Sequence, residues 1–325
     1  MANYLVSGVS GFIGSRVAGL LLDTGHTVVG IDNLNDAYDV RLKQWRLAQL
    51  TPRSGFRFFH GDIALRDDVN AELFATPVDA VLNLAARAGV RPSTINPWVY
   101  IETNVTGTLN LLEACRTYGV KKFVLSSTSS LYGTRNPTPY REDQNTDYPL
   151  SPYAASKKAA EAMCATYNHL YGIDMTVLRY FTVYGPAGRP DMSPFRFVQR
   201  IAEGLPITVY GDGKQSRDFT YVDDIARGTI AGLKPVGYEI VNLGSDTPIE
   251  LIEMIHTVER LVEREANIIY KPAHPADMPR TWADVNKAAE VLGWRAQYSL
   301  EEGLSRLVAW YRENREWAKD VSTVD

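Results

Sequence analysis

The sequence predicts an α/β fold: a doubly wound parallel sheet with a smaller, discontinuous C-terminal α/β domain. Three observations point there. Through the first half, short apolar runs alternate with helical patterns, as parallel strands covered by helices on both faces require. Glycines recur as Gly8-x-x-Gly11-x-x-Gly14 directly behind the first apolar run. Beyond Arg179 the alternation loosens among Gly185-Pro186, Gly188-Arg189-Pro190 and Pro194, then resumes briefly. The 325 residues, 45% apolar and 22% charged, suit one large or two smaller globular domains.

Tyr4 to Val6 reads as the first strand, Ser15 to Leu22 as a helix and Thr27 to Ile31 as the second strand. Phe56 to Phe59, Ala80 to Asn83, Phe123 to Ser126 and Met175 to Arg179 supply four more strands. Helical stretches fall around Asp67–Phe74, Val99–Tyr118 and Pro152–Tyr171. The last begins well, with Ser151 as N-cap, Pro152 at N1 and strong helix formers from Ala154 to Ala162. Asp223 to Leu233 and Glu239 to Asn242 form one more helix–strand unit returning to the sheet. From Leu251 the tail is helical, then mixed, and closes on an amphipathic helix carrying Leu304, Leu307, Val308 and Tyr311. The expected division sets residues 1–180, rejoined by 219–245, against 181–218 with 246–325.

Net charge is −4 and the pI about 5.8, so bulk electrostatics gives no case for nucleic acid or an anionic membrane. No run of 18 apolar residues occurs, and Met1-Ala2-Asn3-Tyr4 has no basic leader, so neither a transmembrane helix nor a signal peptide is expected. Cys115 and Cys164 fall in predicted helices and read as reduced core residues of a cytoplasmic protein. The five histidines are scattered without metal-ligand spacing, so no metal is expected.

Chemistry gathers where predicted strands end. A Gly8/Gly11/Gly14 turn between strand and helix permits close approach of a pyrophosphate to the helix N-terminus, as in Rossmann-type dinucleotide sites. Asp32 ends the second strand, 18 residues after Gly14, where a carboxylate bonds both ribose hydroxyls and repels a 2′-phosphate. NAD is therefore expected rather than NADP. Asp62 and Asn83-Leu84-Ala85-Ala86 also lie at carboxyl ends of strands, where ligands of such sheets bind; turn and N-cap chemistry is the alternative reading.

Tyr153 and Lys157 share a helix face at i, i+4, behind the hydroxyl cluster Ser126-Ser127-Thr128-Ser129-Ser130. An ammonium beside a phenol favours the phenolate, which is then a general base for a hydroxyl proton. The same spacing recurs at Tyr118/Lys122 and Tyr210/Lys214, but those pairs straddle Gly119 and Gly211-Asp212-Gly213. Only Tyr153 sits in a well-formed helix. The arrangement suits oxidation of an alcohol.

These features in this order resemble the extended short-chain dehydrogenase/reductase family over essentially the full length. The likeness runs through the glycine loop, Asp32, Gly61-Asp62, Leu84-Ala85-Ala86, Asn104, the hydroxyl cluster ending in Tyr132-Gly133, and Tyr153-x-x-x-Lys157. It continues in Arg179-Tyr180-Phe181 and in Arg217-Asp218-Phe219 with Tyr221-Val222-Asp223-Asp224. The resemblance implies Tyr153 as base, Lys157 as its electrostatic and ribose-binding partner, and Thr128 as the assisting hydroxyl, with Ser127 as the alternative. It implies bound NAD, held by Gly8, Gly11, Phe12, Ile13, Gly14, Asp32, Asn33, Asn35, Asp62, Ile63, Leu84, Ala85, Ala86, Asn104, Tyr153, Lys157 and Tyr180. It also implies a nucleotide-diphosphate-sugar substrate, the smaller domain binding it, and a homodimer.

The reaction follows from what flanks Thr128. The family's 4,6-dehydratases carry an acid pair after the catalytic Thr, and its decarboxylases a Ser-Glu pair; here Ser129 and Ser130 stand there. A site that oxidises and re-reduces C4 without a second acid implies a 4-epimerase. Asp32-Asn33-Leu34-Asn35-Asp36, Tyr38 to Lys43, Ala88-Gly89-Val90-Arg91, Phe181 to Pro186, Gly188 to Met192 and Asp277 to Asp284 are similar to the UDP-glucuronate 4-epimerases in particular. UDP-galactose 4-epimerases usually carry Asn where Thr182 stands. UDP-glucose and UDP-N-acetylglucosamine remain the alternative substrates, ahead of a dehydratase or decarboxylase, and an inert NAD sensor would have lost Tyr153 or Lys157. For UDP-glucuronate, Ser129, Ser130 and Thr182 would receive the carboxylate. Arg189 and Arg217 would clamp the diphosphate, unless they form surface ion pairs. Asp277 would meet a ribose hydroxyl or cap a loop, and Arg91, Val209 and Arg280 complete the expected substrate set.

Overall fold

A computed structural model of the chain describes residues 1–272 and 278–323. β1 (Asn3–Ser7), α1 (Phe12–Asp23), β2 (Thr27–Asp32), α2 (Val40–Leu50), β3 (Phe56–His60) and β4 (Ala80–Asn83) open it. α3 (Val90–Ile95), the single turn α4 (Trp98–Tyr100) and a π-helical turn (Ile101–Thr106) lead into α5 (Gly107–Tyr118), so the helix expected from Val99 is present with a π turn inside it. β5 (Lys122–Thr128), a 3-10 turn (Ser129–Tyr132), α6 (Pro152–Tyr171) and β6 (Asp174–Tyr180) follow. The second half runs β7 (Thr182–Tyr184), α7 (Ser193–Ala202), β8 (Ile207–Tyr210), β9 (Ser216–Tyr221), α8 (Val222–Ala231), β10 (Tyr238–Leu243) and β11 (Pro248–Glu250). It ends with α9 (Leu251–Val262), β12 (Ile268–Lys271), a π turn (Ala288–Leu292) and α10 (Leu300–Ala318).

Seven strands make one parallel sheet in the order β10-β6-β5-β4-β1-β2-β3. Because side chains alternate along a strand, each face has its own core. Val6, Leu82, Val124, Leu178 and Val241 pack with Val17 and Leu21 of α1 and Ile225 of α8. Leu5, Val81, Leu125 and Val177 pack on the other side with Leu111 and Leu112 of α5 and with Ala160 and Cys164 of α6. A third core lies among α7, α9 and α10, where Leu304, Leu307, Val308 and Tyr311 are buried. Two small sheets, β11-β9-β7 and β12-β8, border it. Phe12 and Leu42 reach into this core from the first half, joining the two parts.

Two elements differ from expectation. The helix expected over Asp67–Phe74 is a 3-10 turn, Arg66–Asp68, followed by turns. Local polar bonds outcompete a helix there: Asp68 accepts Asp62 N–H at 2.7 Å, and Asn70 bonds Asp67 O at 2.8 Å and Glu72 N–H at 2.9 Å. Conversely, α2 was not anticipated. It buries Lys43 and Arg46 beside Leu42 and Leu50, so its inner face carries no apolar periodicity. α6 forms where expected: Ser151 caps it by accepting Ala154 N–H, and Gly172 ends it at φ +64°.

Asp218 on β9 fastens the second half together. Its carboxylate, wholly buried, accepts from five donors: Thr220 Oγ1, Ser245 N–H and Oγ, Asp246 N–H and Ala283 N–H. Burial pushes this carboxyl up, while those hydrogen bonds oppose the shift. Asp218→Ala should destabilise the chain by roughly 3 kcal/mol or more, since it strands buried donors. Urea unfolding should show this as a lowered midpoint.

Candidate active site

The sheet's strand order reverses between β1 and β4, and ligands of such sheets bind in the crevice beyond the strands' carboxyl ends at that point. Ser7, at the end of β1, ties the crevice: its Oγ donates to Asn83 Oδ1 at 2.8 Å and accepts Leu84 and Ala85 N–H at 3.2 Å. A cleft of about 310 Å³ opens above it. Its wall combines the glycine turn, Leu84, Ala86, Ala88, the hydroxyls of residues 126–130, Tyr153, Lys157, Tyr180 and Thr182.

The glycine turn is a cradle that side chains would fill. Gly8 has φ +69°, and a Cβ there would lie 2.7 Å from the Ala85 backbone; one on Gly14 would lie 2.1 Å from Gly8 O. Gly11 caps α1 without any side-chain bond, so the first N–H groups of the helix, those of Phe12, Ile13 and Gly14, face the cleft uncapped. Buried Ser10 Oγ has no hydrogen-bond partner. These features fit a dinucleotide's pyrophosphate.

An acidic edge adjoins the turn. Asp32 accepts Ser10 N–H at 3.0 Å and Leu34 N–H at 2.9 Å; Asn33 bonds Asp62 at 2.8 Å, and Asn33 Oδ1 accepts Asn35 Nδ2 at 2.6 Å. Lys43, which ends the Tyr38–Lys43 stretch but had no site role foreseen for it, donates to Asn35 O at 2.7 Å and Oδ1 at 2.9 Å, and burial pushes it down to about 8. Asp32, Asn33, Asn35 and Asp62 therefore come together, as an adenosine ribose requires. Ile63 does not join them, because its side chain is buried against Gly107 in the α5 core. Asn104 lies behind the wall, fixing the Arg87 backbone through both its N–H and C=O and bonding Ser156 Oγ at 2.9 Å.

At the other end, α6 presents Tyr153 and Lys157 to β5. Alternation along the strand separates the hydroxyls: Ser127 Oγ turns to Glu161, whereas the Thr128 hydroxyl is the one that acts on the Tyr153 phenol. Thr128 Oγ1 also accepts Ser130 N–H at 3.1 Å. Burial pushes the Tyr153 phenol up, and the Thr128 bond and the Arg189 charge oppose that shift. Lys157 donates to Ser126 O at 2.8 Å, and burial lowers its ammonium to about 8. Arg189, for which the sequence suggested a diphosphate, is thus a cation acting on Tyr153. Arg189 lines the same cleft, paired with Asp191 at 2.5 and 3.0 Å and donating to Ala88 O at 3.3 Å.

Of the remaining expected substrate residues, Arg91, Val209, Arg217 and Arg280 lie outside the cleft's wall. Val209 is wholly buried in the third core, which leaves only its backbone for a ligand. Arg91 stacks on Tyr210 at 4.1 Å, Arg280 on Trp282 at 4.8 Å, and Arg217 adjoins the Ser216–Arg280 bridge. Asp277 lies outside the described residues. Tyr38, Phe181 and Met192 line the cleft with no role foreseen for them, although each falls in a stretch that carried the resemblance. A second cavity of about 350 Å³ lies behind α1, but its arginines are engaged internally: Arg16 with Asp223, Arg53 with Asp23 and Arg46 with Ala187 O. Among the described residues no group of His, Cys, Asp or Glu is gathered as for a metal.

A glycine cradle at the switch point of a parallel sheet, with a Tyr–Lys helix beside a Thr, defines an extended short-chain dehydrogenase/reductase. The chain belongs to the NAD dependent epimerase/dehydratase family, whose model matches residues 4–244. It is 55% identical over 322 residues to a UDP-glucuronate 4-epimerase of Thermodesulfobacterium geofontis, covering 99% of each chain. It is also similar to the Bacillus cereus UDP-glucuronic acid 4-epimerase solved with UDP-glucuronic acid and NAD (TM-score 0.90, 36% identity, 96% of this chain and 99% of that one). The UDP-glucose 4-epimerase of Thermotoga maritima, solved with UDP-glucose, gives TM-score 0.88 at 32% identity, covering 96% and 99%.

Proposed function

We propose that the chain is an isomerase that interconverts UDP-glucuronate and UDP-galacturonate at C4 with NAD, through a transient 4-keto sugar. The observation that carries this reading is the wall around Tyr153. It joins Thr128, Ser129, Ser130 and Thr182 with the cations Lys157 and Arg189, and its described residues include no carboxylate. Such a wall favours an anionic sugar and lacks the second acid–base pair that dehydration would need.

Gly8, Gly11 and Gly14 would hold the pyrophosphate of NAD, Asp32 its adenosine ribose, and Lys157 its other ribose. When bound, NAD supplies a reversible hydride acceptor. Tyr153 takes the proton of the C4 hydroxyl as that carbon is oxidised and returns it after the keto sugar has turned. Thr128 shares the proton and keeps the phenol oriented, and the positive charges of Lys157 and Arg189 favour the phenolate. The keto form of glucuronate is a β-keto acid, prone to lose carbon dioxide. Ser129, Ser130 and Thr182 would bond its carboxylate and hold it out of the alignment that decarboxylation needs. In the expected division of labour, residues 181–218 and 246–325 bind the nucleotide sugar, with Arg217, Arg280 and Asp277 toward its UDP end. Arg189 serves the reaction centre.

Tyr153→Phe should abolish epimerisation of UDP-glucuronate while the purified variant still carries NAD. Product analysis showing more than a few per cent residual turnover would remove Tyr153 from its role, and wild-type protein inert on UDP-glucuronate would overturn the reading. The second reading, a UDP-glucose 4-epimerase, draws on the Thermotoga similarity, and Thr182 separates the two. A charge-assisted hydrogen bond contributes roughly 1.5–3 kcal/mol, so Thr182→Val should lower kcat/KM for UDP-glucuronate about ten-fold or more. UDP-glucose should suffer less; an equal loss on both substrates would favour the second reading.

A homodimer in the cytoplasm completes the proposal. Among the described residues no helix is long and apolar enough to cross a membrane, and both cysteines are buried and unpaired. Ile95, Trp98 and Ile101 are 85%, 74% and 46% exposed within one short stretch, an apolar surface that a second copy would cover. Sedimentation should give a dimer for the wild type and monomer for Trp98→Asp.

A further inference from the structure

The face of α6 that carries Tyr153 and Lys157 continues one turn further to Glu161, whose burial the proton-transfer step does not explain. Glu161 and Arg179 are only 3% and 2% exposed. Arg179 donates Nε to Glu161 Oε1 at 3.0 Å and Nη2 to Oε2 at 2.8 Å, while Ser127 Oγ donates to Oε1 at 2.5 Å. Arg179 also reaches Tyr132 OH at 3.1 Å, and that hydroxyl donates to Asn242 on β10 at 2.6 Å. The carboxylate is therefore fixed from β5 and β6 at once, and its Arg179 partner is held in turn by the turn after β5. A buried pair contributes little net stability against an apolar replacement, so its retention invites a functional account.

That account comes from Lys157. Its ammonium is buried in the cleft wall and bonds a neutral acceptor, Ser126 O. Two groups of its own helix act on it in favour of the charged form, Glu161 and Cys164, but burial pushes the Cys164 thiol far up and leaves it neutral. The elements packed on α6 bring Arg179 from β6, Tyr132 from the turn after β5, Cys115 and Glu113 from α5, Tyr100 from α4, Glu102 from the π turn and Arg91 from α3. β5 adds Lys122, bound to Asp174 at the strand's far end, and Arg189 acts from across the cleft. Of these, Glu102 is exposed, Glu113 is engaged with Arg116 and with Tyr167 near the helix's far end, Asp174 is bound to Lys122, Cys115 is a buried thiol pushed far up, and the rest are cations or phenols.

We propose that Glu161 is a positioning residue of the reaction: held by Arg179 and Ser127, its carboxylate keeps Lys157 in the ammonium form that Tyr153 requires. Arg179 is what lets that carboxylate stay charged while buried. The inference rests on the epimerase reading, so wild-type turnover of UDP-glucuronate is established first; its absence would defeat that reading and leave the lysine titration below to judge Glu161.

Two readouts follow lysine charge: the alkaline limb of the kcat–pH profile, and the titration midpoint of Lys157 from carbon-13 NMR of labelled lysine. The sign follows from burial: Lys157 loses its proton as pH rises through about 8, and losing a nearby negative charge makes that loss easier. In Glu161→Gln both readouts should move to lower pH by about one unit or more, the usual effect of a close opposite charge. Glu161→Asp should restore part of the shift. If Glu161→Gln does not fold, Glu161→Gln with Arg179→Met removes both charges, and its Lys157 midpoint should still lie below wild type. A midpoint and limb unmoved in whichever variant folds, with kcat lowered equally at all pH values, would reduce Glu161 to a structural pair and overturn the proposal.

Discussion

The close approach of three backbone segments at the end of β1 governs this molecule. Gly8 lies against the Ala85 backbone and under Gly14, so β4, the glycine turn and the start of α1 converge within van der Waals contact. That contact sets the pitch of α1 against the sheet and points its uncapped N–H groups into the cleft. Ser7 holds the convergence from below by bonding Asn83, Leu84 and Ala85. A single methyl group at Gly8 or Gly14 would force one of the three segments away, and the crevice at the switch point would lose its floor.

Around that floor the protein places charge in a dry setting and offsets the desolvation with fixed partners. Lys43 and Lys157 are both lowered to about 8 by burial, yet each keeps hydrogen-bond acceptors. Arg189 is held by Asp191, and Arg179 by Glu161. Tyr153 stands between opposing influences: burial favours its neutral phenol, whereas Thr128 and Arg189 favour the phenolate. Burial outweighs the other two, so the phenol is held above its ordinary value until further positive charge enters the cleft.

The two halves meet at the site and divide it unequally. The parallel sheet supplies the cradle, Thr128 and the Tyr–Lys helix. The stretch just past β6 supplies Thr182 and Arg189, and Arg46 of α2 anchors that stretch by donating to Ala187 O at 2.6 Å and Gly188 O at 3.2 Å. The lysine and arginine that hide α2 from any search for apolar periodicity are thus the residues that brace the acidic edge and the Arg189 loop.

The sequence by itself determined the alternation of strands and helices in the first half, the glycine turn and the helix that carries Tyr153. Those signals are local: a repeat of two or of 3.6, a Ser-Pro start, a glycine that alone tolerates φ +69°. It also carried the residues of the cleft as a set, because most of them follow strand ends directly. It did not show that Asn70 and Asp68 would dissolve a helix into turns, nor the small sheets formed by β7, β8, β9, β11 and β12. Tertiary structure alone decided which hydroxyl acts on Tyr153, sent Ile63 and Val209 into cores, and brought Arg189 into the cleft with Tyr153. It also joined Glu161 to Arg179, which lie 18 positions apart on a helix and the following strand. Such choices depend on side chains far apart in the chain meeting in one packed layer, where burial and pairing rather than neighbouring residues set the outcome.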